Sequence, residues 1–495
     1  MNNSNEFAER FTFYGIKGLI NRYYQFSGAS KETAKTLTHV FNMVTYFCPL
    51  IGAAISDSFL GKYKTIVWLS LVYLIGNAAL VFTAIPAFRS VASISVALYL
   101  ISLGTGGIKP CVAPHGGDQY LRAQANGMRQ FFGWFYIAIN LGAFLSGYIV
   151  PAIQNGFSCF GDYLEAGDPS TGVCYFAAYI VPTVVFAIAL SIFIYGHRYY
   201  RIVPPTGKFV PGQMVLVIGD AISGYVSGQR AEAGDSFFSI NSARYGKQFA
   251  EETAEFLRMF LQILPISFVW MVYDQQSTEW QNQYDRMNYY FGSLKVTPEQ
   301  WTNIVNPVMV VTILWVLVNW IYPAIERTGV RVTPLRRMAL GSVLVTLSFL
   351  VSGFLQGPVI SNFNGKLTKD GLQDPSPEGC STCIHGAWQL PQWFLASLGE
   401  CMFSPTGNEF SYTQVGKNMK SISSSFWLLL VAIGNFIVVA FEEAQGSQPW
   451  ALDADGNSTA AKYYVYTAIC AGANLWFIIG AYFYRYKPDA AHQHK

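Results

Sequence analysis

Apolar stretches close to the ~20 residues that a helix needs to cross a bilayer recur along this chain, and no other feature limits its fold so tightly. They fall at 11–25, 40–56, 65–86, 95–113, 131–153 and 174–195 and, after a long polar connector, at 256–275, 304–325, 339–359, 393–412, 426–441 and 463–483. That makes about twelve spans, the first being the least apolar because it holds Lys17 and Arg22. Lipid offers no water to a polar backbone, so each span must satisfy its own N–H and C=O groups, which selects α-helix. Composition agrees, since 52% of the 495 residues are hydrophobic and only 12% are charged, against about a quarter charged in soluble chains. Aromatics at 16% suit many segment ends lying at headgroup depth. A net charge of +3 is too small to imply nucleic acid. The polar N-terminus lacks the compact apolar core and small-residue site of a cleaved signal peptide, so none is expected.

Sidedness follows from where Lys and Arg collect, because short cytosolic connections hold them. With a cytosolic N-terminus, the cytosolic connections carry Lys62 and Lys64; Arg198, Arg201 and Lys208; Arg327, Arg331, Arg336 and Arg337; and Arg485, Lys487 and Lys495. The opposite connections lean acidic, with Asp162, Glu165 and Asp168; Asp370, Asp374 and Glu378; and Glu442, Glu443, Asp453 and Asp455. The sequon Asn457-Ser458-Thr459 falls on that exterior side, which makes Asn457 a candidate glycosylation site or a chance match. Cys48, Cys111, Cys401 and Cys470 lie within spans, whereas Cys159, Cys174, Cys380 and Cys383 lie outside and alone can hold lasting disulfides. Cys159 with Cys174 is the preferred pair. The Cys380–Cys383 dithiol can also be read as a metal or redox site, although no further ligand motif accompanies it.

The connector at 201–255 divides the chain into bundles at 1–200 and 256–495, each of six spans. This 6+6 plan is the major facilitator pattern, in which substrate binds near the midplane between halves that rock about it. The segment 212–226 is apolar but short and interrupted by glycine, so a helix on the cytosolic surface is expected there.

Ionisable residues inside spans cost about 2.5–3.5 kcal/mol each unless paired or hydrated, so they should face a cavity. Glu6, Glu9, Arg10, Tyr14 and Lys17 recur at helical steps and share one face. Carboxylates beside a guanidinium can exchange a proton or a partner as the cavity changes, which is what coupling requires. The same segment can also be read as an amphipathic helix on the cytosolic surface. No HExxH, GxSxG or P-loop pattern points to catalysis, and Gly104–Pro110 lacks the GK[ST] ending of a phosphate loop.

Several of these stretches resemble a known family. Residues 6–15, EFAERFTFYG, resemble the ExxERFxYYG signature of the proton-dependent oligopeptide transporters, a branch of the major facilitator superfamily. Residues 52–62 (GAAISDSFLGK), 104–110 (GTGGIKP), 132–142 (FGWFYIAINLG) and 399–405 (GECMFSP) are similar to further motifs of that family, in its order. The resemblance implies proton-coupled symport of di- and tripeptides with no cofactor and no enzymatic activity, the proton serving as coupling ion. Glu6, Glu9 and Arg10 would form the coupling cluster. Arg10 and Lys109 would meet the peptide carboxylate and Glu400 its ammonium, while Asn140 and Asn306 would bond the peptide backbone. Tyr14, Tyr46, Trp270 and Trp427 would be the aromatic walls. A cavity charged at both ends with adaptable walls selects backbone length rather than side chains.

The resemblance also implies gating bridges between the halves, Lys17 with Asp274 and Lys109 with Glu400, and a proton site at His39, 18 residues before Asp57. From the residues alone, Asn140 and Asn306 can equally be interhelical glue, the tryptophans interfacial anchors and His39 a packing residue. Two positions depart from the family: Phe13 replaces the first tyrosine of YYG, and Asp274 stands where many members have Glu. Relatives that carry nitrate or other small anions, and a non-transporting peptide receptor, are the competing functions. The presence of Glu6, Glu9, Arg10, Lys109 and Glu400 together favours peptides. Partners are then peptides, protons and lipid, and the plasma membrane is the expected location because no sorting tail is recognisable.

Overall fold

The computed structural model describes residues 2–120, 125–156, 158–162, 172–205, 207, 209–231, 236–240, 245–329, 333–369, 383–416, 419–446, 448–453 and 456–486. Glu165, Asp168, Lys208, Arg331, Asp370, Asp374, Glu378, Cys380, Asp455, Lys487 and Lys495, on which expectations above rest, lie outside them.

The chain is built from helices. They are α1 (Asn2–Lys17), α2 (Ile20–Phe26), α3 (Lys31–Ile55), α4 (Lys62–Thr83), α5 (Val91–Gly117), α6 (Ala125–Gln154) and α7 (Tyr175–Tyr195) in the first half. After α8 (Val210–Val226), the second half holds α9 (Lys247–Ile263), α10 (Ile266–Tyr273), α11 (Glu279–Tyr284), α12 (Pro298–Val316), α13 (Tyr322–Arg327), α14 (Pro334–Lys369), α15 (Leu390–Thr413), α16 (Lys420–Gln445) and α17 (Ala460–Phe483). Polar side chains start several of them: Ser30 caps α3, Ser90 with Ser93 boxes the start of α5, Thr297 with Gln300 that of α12, and Thr459 caps α17.

Among the described residues nine helices are long and apolar enough to cross a membrane, or ten if the bent 247–284 pair is one span. The expected spans at 11–25 and 393–412 are helical but not in that set. The first is broken into α1 and α2, and α15 carries Ser397, Glu400, Ser404, Asn408, Glu409 and Ser411 along its length. The break at Gly18 has a steric counterpart, since a Cβ there would fall 1.9 Å from the Asn303 amide of α12.

Two cores form. One draws buried residues from Ala8 to Phe193 and the other from Met214 to Phe477, so α8 packs with the second half through Met214 and Val210. The rest of α8 exposes Val215, Leu216, Ile222 and Val226, an apolar face suited to a membrane surface. Within the first half α3 and α5 approach at Gly52, whose Cβ would lie 2.1 Å from Gly107 O, and only glycine permits that contact. Between halves, α3 packs on α16 and α6 on α12. A short hairpin absent from the sequence reading, β1 (Tyr290–Phe291) paired antiparallel with β2 (Leu294–Lys295), joins α11 to α12.

Cys159 and Cys174 are joined by a disulfide in the connection between α6 and α7. Cys383 is disulfide-bonded too, so it offers no thiolate to a metal. Cys48, Cys111, Cys401 and Cys470 are free and buried.

Candidate functional site

A cavity of about 320 Å³ opens between the halves. Tyr14, Lys17, Tyr46 and Asn140 line it from the first half, and Trp270, Tyr273, Asp274, Asn306, Glu400 and Trp427 from the second. Local breaks in the helices aim several of these groups. The turn of 3-10 helix at Asp274–Ser277 between α10 and α11 presents Asp274, and Pro307 interrupts the bonding of α12 just beyond Asn306. Nine of the residues expected to bind substrate or gate it therefore share one chamber. Arg10 and Lys109 are outside its lining.

Glu400 occupies the second half's side of the chamber. Its Oε2 accepts from the Tyr273 hydroxyl and, at 3.2 Å, from Asn306 Nδ2, while Ser397 Oγ donates to Asn306 Oδ1 at 2.7 Å. Tyr273 and Ser397 were not identified from sequence. Both are polar groups on helix faces that also carry expected site residues, one turn from Trp270 and Glu400, and that spacing was the available signal. The expected Lys109–Glu400 bridge is not formed in this conformation. Lys109 Nζ instead lies 4.4 Å from the Phe13 ring centroid and 4.3 Å from that of Tyr46. Two aromatic faces hold the cation within the first half, and Phe13, which lacks the family's hydroxyl, is one of them.

Below the chamber, Arg10 Nε pairs with Glu6 Oε1 at 2.7 Å and Glu9 Oε2 at 3.3 Å. Thr105 Oγ1 on α5 donates to the other oxygen of Glu9. Both carboxylates are about 2% exposed, so the cluster is an internal ion group and not the surface helix that the sequence also allowed.

Above the chamber, at the end of the bundles opposite the 196–246 connection, the halves are tied together. Lys17 Nζ lies 3.6 Å from Asp274 Oδ1, and Asp274 Oδ2 accepts from Asn435 Nδ2 at 2.6 Å. Because Asn435 Nδ2 also donates to Val431 O, its Oδ1 faces His39 Nδ1 at 2.7 Å. An acceptor at that position requires His39 to carry its proton on Nδ1 when neutral, leaving Nε2 to Thr278 Oγ1 at 3.1 Å. Lys35 Nζ bonds Glu279 Oε1 at 3.0 Å, and Lys462 Nζ joins Glu279 and Glu442 at 3.1 and 2.7 Å. Arg22 pairs with Asp285 and, at 2.9 Å, with Glu299.

Asn457 belongs to this same end. Its Oδ1 accepts from Lys31 Nζ at 2.9 Å and from Arg286, its Nδ2 donates to Asp453 at 3.0 Å, and it is 6% exposed. A glycan on Nδ2 would have to displace the bonds that seat the side chain here.

The sequence profile described as "POT family" matches residues 63–443, more than half of the chain. The chain belongs to the POT family. The Drosophila melanogaster protein "Peptide transporter family 1" is 38% identical over 71% of this chain, which spans 46% of that relative's length. "Solute carrier family 15 member 2" of Oryctolagus cuniculus is 35% identical over 97% of this chain and 88% of that one. An in meso crystal structure of a POT family transporter superposes with a TM-score of 0.76 at 26% identity, covering 97% of this chain and 96% of that one. A crystal structure described as an auto-inhibited POT family peptide transporter has a TM-score of 0.77 at 24% identity over 98% and 97%, which speaks to the fold alone. This POT protein is thus a multi-pass membrane transporter of the major facilitator type, not an enzyme.

Proposed function

We propose that this POT family member is a proton-coupled symporter of di- and tripeptides that works by alternating access, with both termini cytosolic and the plasma membrane as its site. The observation that carries this reading is the chamber's charge layout. A carboxylate, Glu400, stands on the second half, and the cations Lys17, Lys109 and Arg10 stand in or beside the first, with aromatic walls between. A short peptide carries an ammonium and a carboxylate at its ends and varied side chains between them, which this layout suits. The names of the relatives point the same way.

The two halves, 1–200 and 256–495, are the rocking units, joined by 201–255. The ties described above support a state closed at the far end, in which access would be from the side of the connecting segment. A proton arriving at His39 would sit on Nε2, and Thr278 could then turn its hydroxyl toward Gln275 O, 3.4 Å away. The added charge competes with Lys17 for Asp274 and loosens the closure. Glu6 and Glu9 provide the second proton locus, where neutralising a carboxylate frees Arg10 to hold substrate.

The test is uptake of a labelled dipeptide into proteoliposomes with and without an inward proton gradient and membrane potential. Accumulation above the external concentration only under the gradient is expected. Equilibrative uptake indifferent to the gradient would reject coupling, nitrate uptake without dipeptide uptake would favour the anion reading, and binding without transport would leave a receptor.

A further inference from the structure

A second cavity, about 480 Å³, lies far from the chamber in the groove between α9 and α17. Its walls are Leu261, Trp476 and Phe483, which are 59%, 50% and 73% exposed although apolar. Arg258 and Arg485 stand at its rim. α17 descends from the tied end, so Tyr484 and Arg485 lie toward the connecting segment, whereas Leu261 and Trp476 lie deeper along the bundle. The floor is set by Gly480, where a Cβ would meet Gln262 Oε1 at 2.4 Å, while Gln262 Nε2 bonds Phe477 O at 3.1 Å and so ties α9 to α17.

The groove is therefore polar and cationic at one end and apolar along its depth. Among the described residues neither Arg258 nor Arg485 has a hydrogen-bond or ion-pair partner. Glu255, a turn before Arg258 on α9, offsets one charge at most and leaves the rim net positive.

We propose that this groove is a binding site for one anionic glycerophospholipid of the leaflet on the side of the connecting segment. The arginines hold the phosphodiester and headgroup, and an acyl chain lies along Leu261, Trp476 and Phe483. Guanidinium groups present planar forks of donors to phosphate oxygens, and a basic pocket at a helix boundary in that leaflet selects anionic headgroups. A zwitterionic lipid brings the same phosphate, but its own cation is repelled by the rim.

The experiment reconstitutes the full-length protein in vesicles of equal phosphatidylglycerol and phosphatidylcholine, then counts the lipids retained on the extracted protein by native mass spectrometry. Wild type should retain phosphatidylglycerol in preference. Arg258→Gln or Arg485→Gln should lower that preference about fivefold each and the pair about 30-fold, from the contribution of one basic residue near a charged membrane surface. Both arginines are exposed, so folding should be unaffected, and matched melting temperatures check this. The double lysine variant, which keeps charge but loses the fork, should keep most of the preference.

Parity between the two lipids in wild type, or an unchanged preference in the double glutamine variant, overturns the proposal. So does displacement of the lipid by millimolar inorganic phosphate, which would mark a free-anion site. A preference that emerges only after residues 487–495 are removed would assign the groove to the chain's own tail and equally overturn it.

Discussion

Neutralising Lys17 and Asp274 singly and together measures what holds the far end closed. At 3.6 Å the pair's attraction is about 4–5 kcal/mol for an effective dielectric near 20. Desolvation takes back much of this, and Lys17 is still 14% exposed to the chamber, so the net loss on removing one partner should be nearer 1–3 kcal/mol. Lys17→Met leaves Asp274 with the Asn435 amide, and Asp274→Leu leaves Lys17 with no acid but keeps the Asn435 bond to Val431 O. The single changes should therefore shift the closed-to-open equilibrium by about 5- to 150-fold, and the double change by less than the sum of the two.

The structure also says why a charge swap would recover only part of the loss. Lys at 274 cannot accept from Asn435, and a hydrogen bond to a charged group, about 1.5–3 kcal/mol, would stay broken. Closure can be read by pulsed EPR between labels at Phe88 and Trp388, which are exposed at that end of opposite halves. The four free cysteines are buried and should not label. Strict additivity within about 0.5 kcal/mol, at equal surface expression, would refute the idea that this contact gates.

Three further outcomes are expected. Glu6→Gln and Glu9→Gln should each abolish proton-driven accumulation while retaining substrate exchange, and full gradient-driven uptake in both would remove them from coupling. Glu400→Gln should weaken binding of unblocked peptides roughly tenfold or more and lose discrimination against N-acetylated ones in competition uptake, from the 1.5–3 kcal/mol of a charge-assisted contact. If the variant discriminates as strongly as wild type, Glu400 does not meet the ammonium. Asn457→Gln should leave gel mobility unchanged before and after glycosidase, while lowering the melting temperature by loosening Lys31, Arg286 and Asp453; a glycosidase-sensitive wild-type band would contradict the buried placement.

The helices were legible in the sequence because hydrophobic length and capping residues act within a single segment, so each expected span falls on observed helix, although 11–25 is split between α1 and α2 and 256–275 between α9 and α10. The motifs around Glu6–Arg10, Gly104–Pro110 and Gly399–Pro405 pointed to the family for the same reason: contiguous residues carry them. What the sequence could not decide lies between segments. His39 meets Asn435 across 396 residues and Lys35 meets Glu279 across 244, and both contacts exist only once two separately packed halves touch. Local pattern carries no information on such pairings, which is why Asn435 was missed, whereas Tyr273 and Ser397 were signalled only by lying one turn from Trp270 and Glu400. The Lys109–Glu400 bridge was implied by the family resemblance, and in this structure Lys109 instead faces the Phe13 and Tyr46 rings once α1, α3 and α5 are packed. Asn457 shows the same division: a three-residue sequon is a local signal, but whether its amide is free depends on Lys31 from the other half and Arg286 just after α11. The sequence by itself determined the spans, the family and the inventory of charges, and the tertiary structure decided which charge faces which, because in a low-dielectric interior a few ångströms separate an ion pair from an isolated ion.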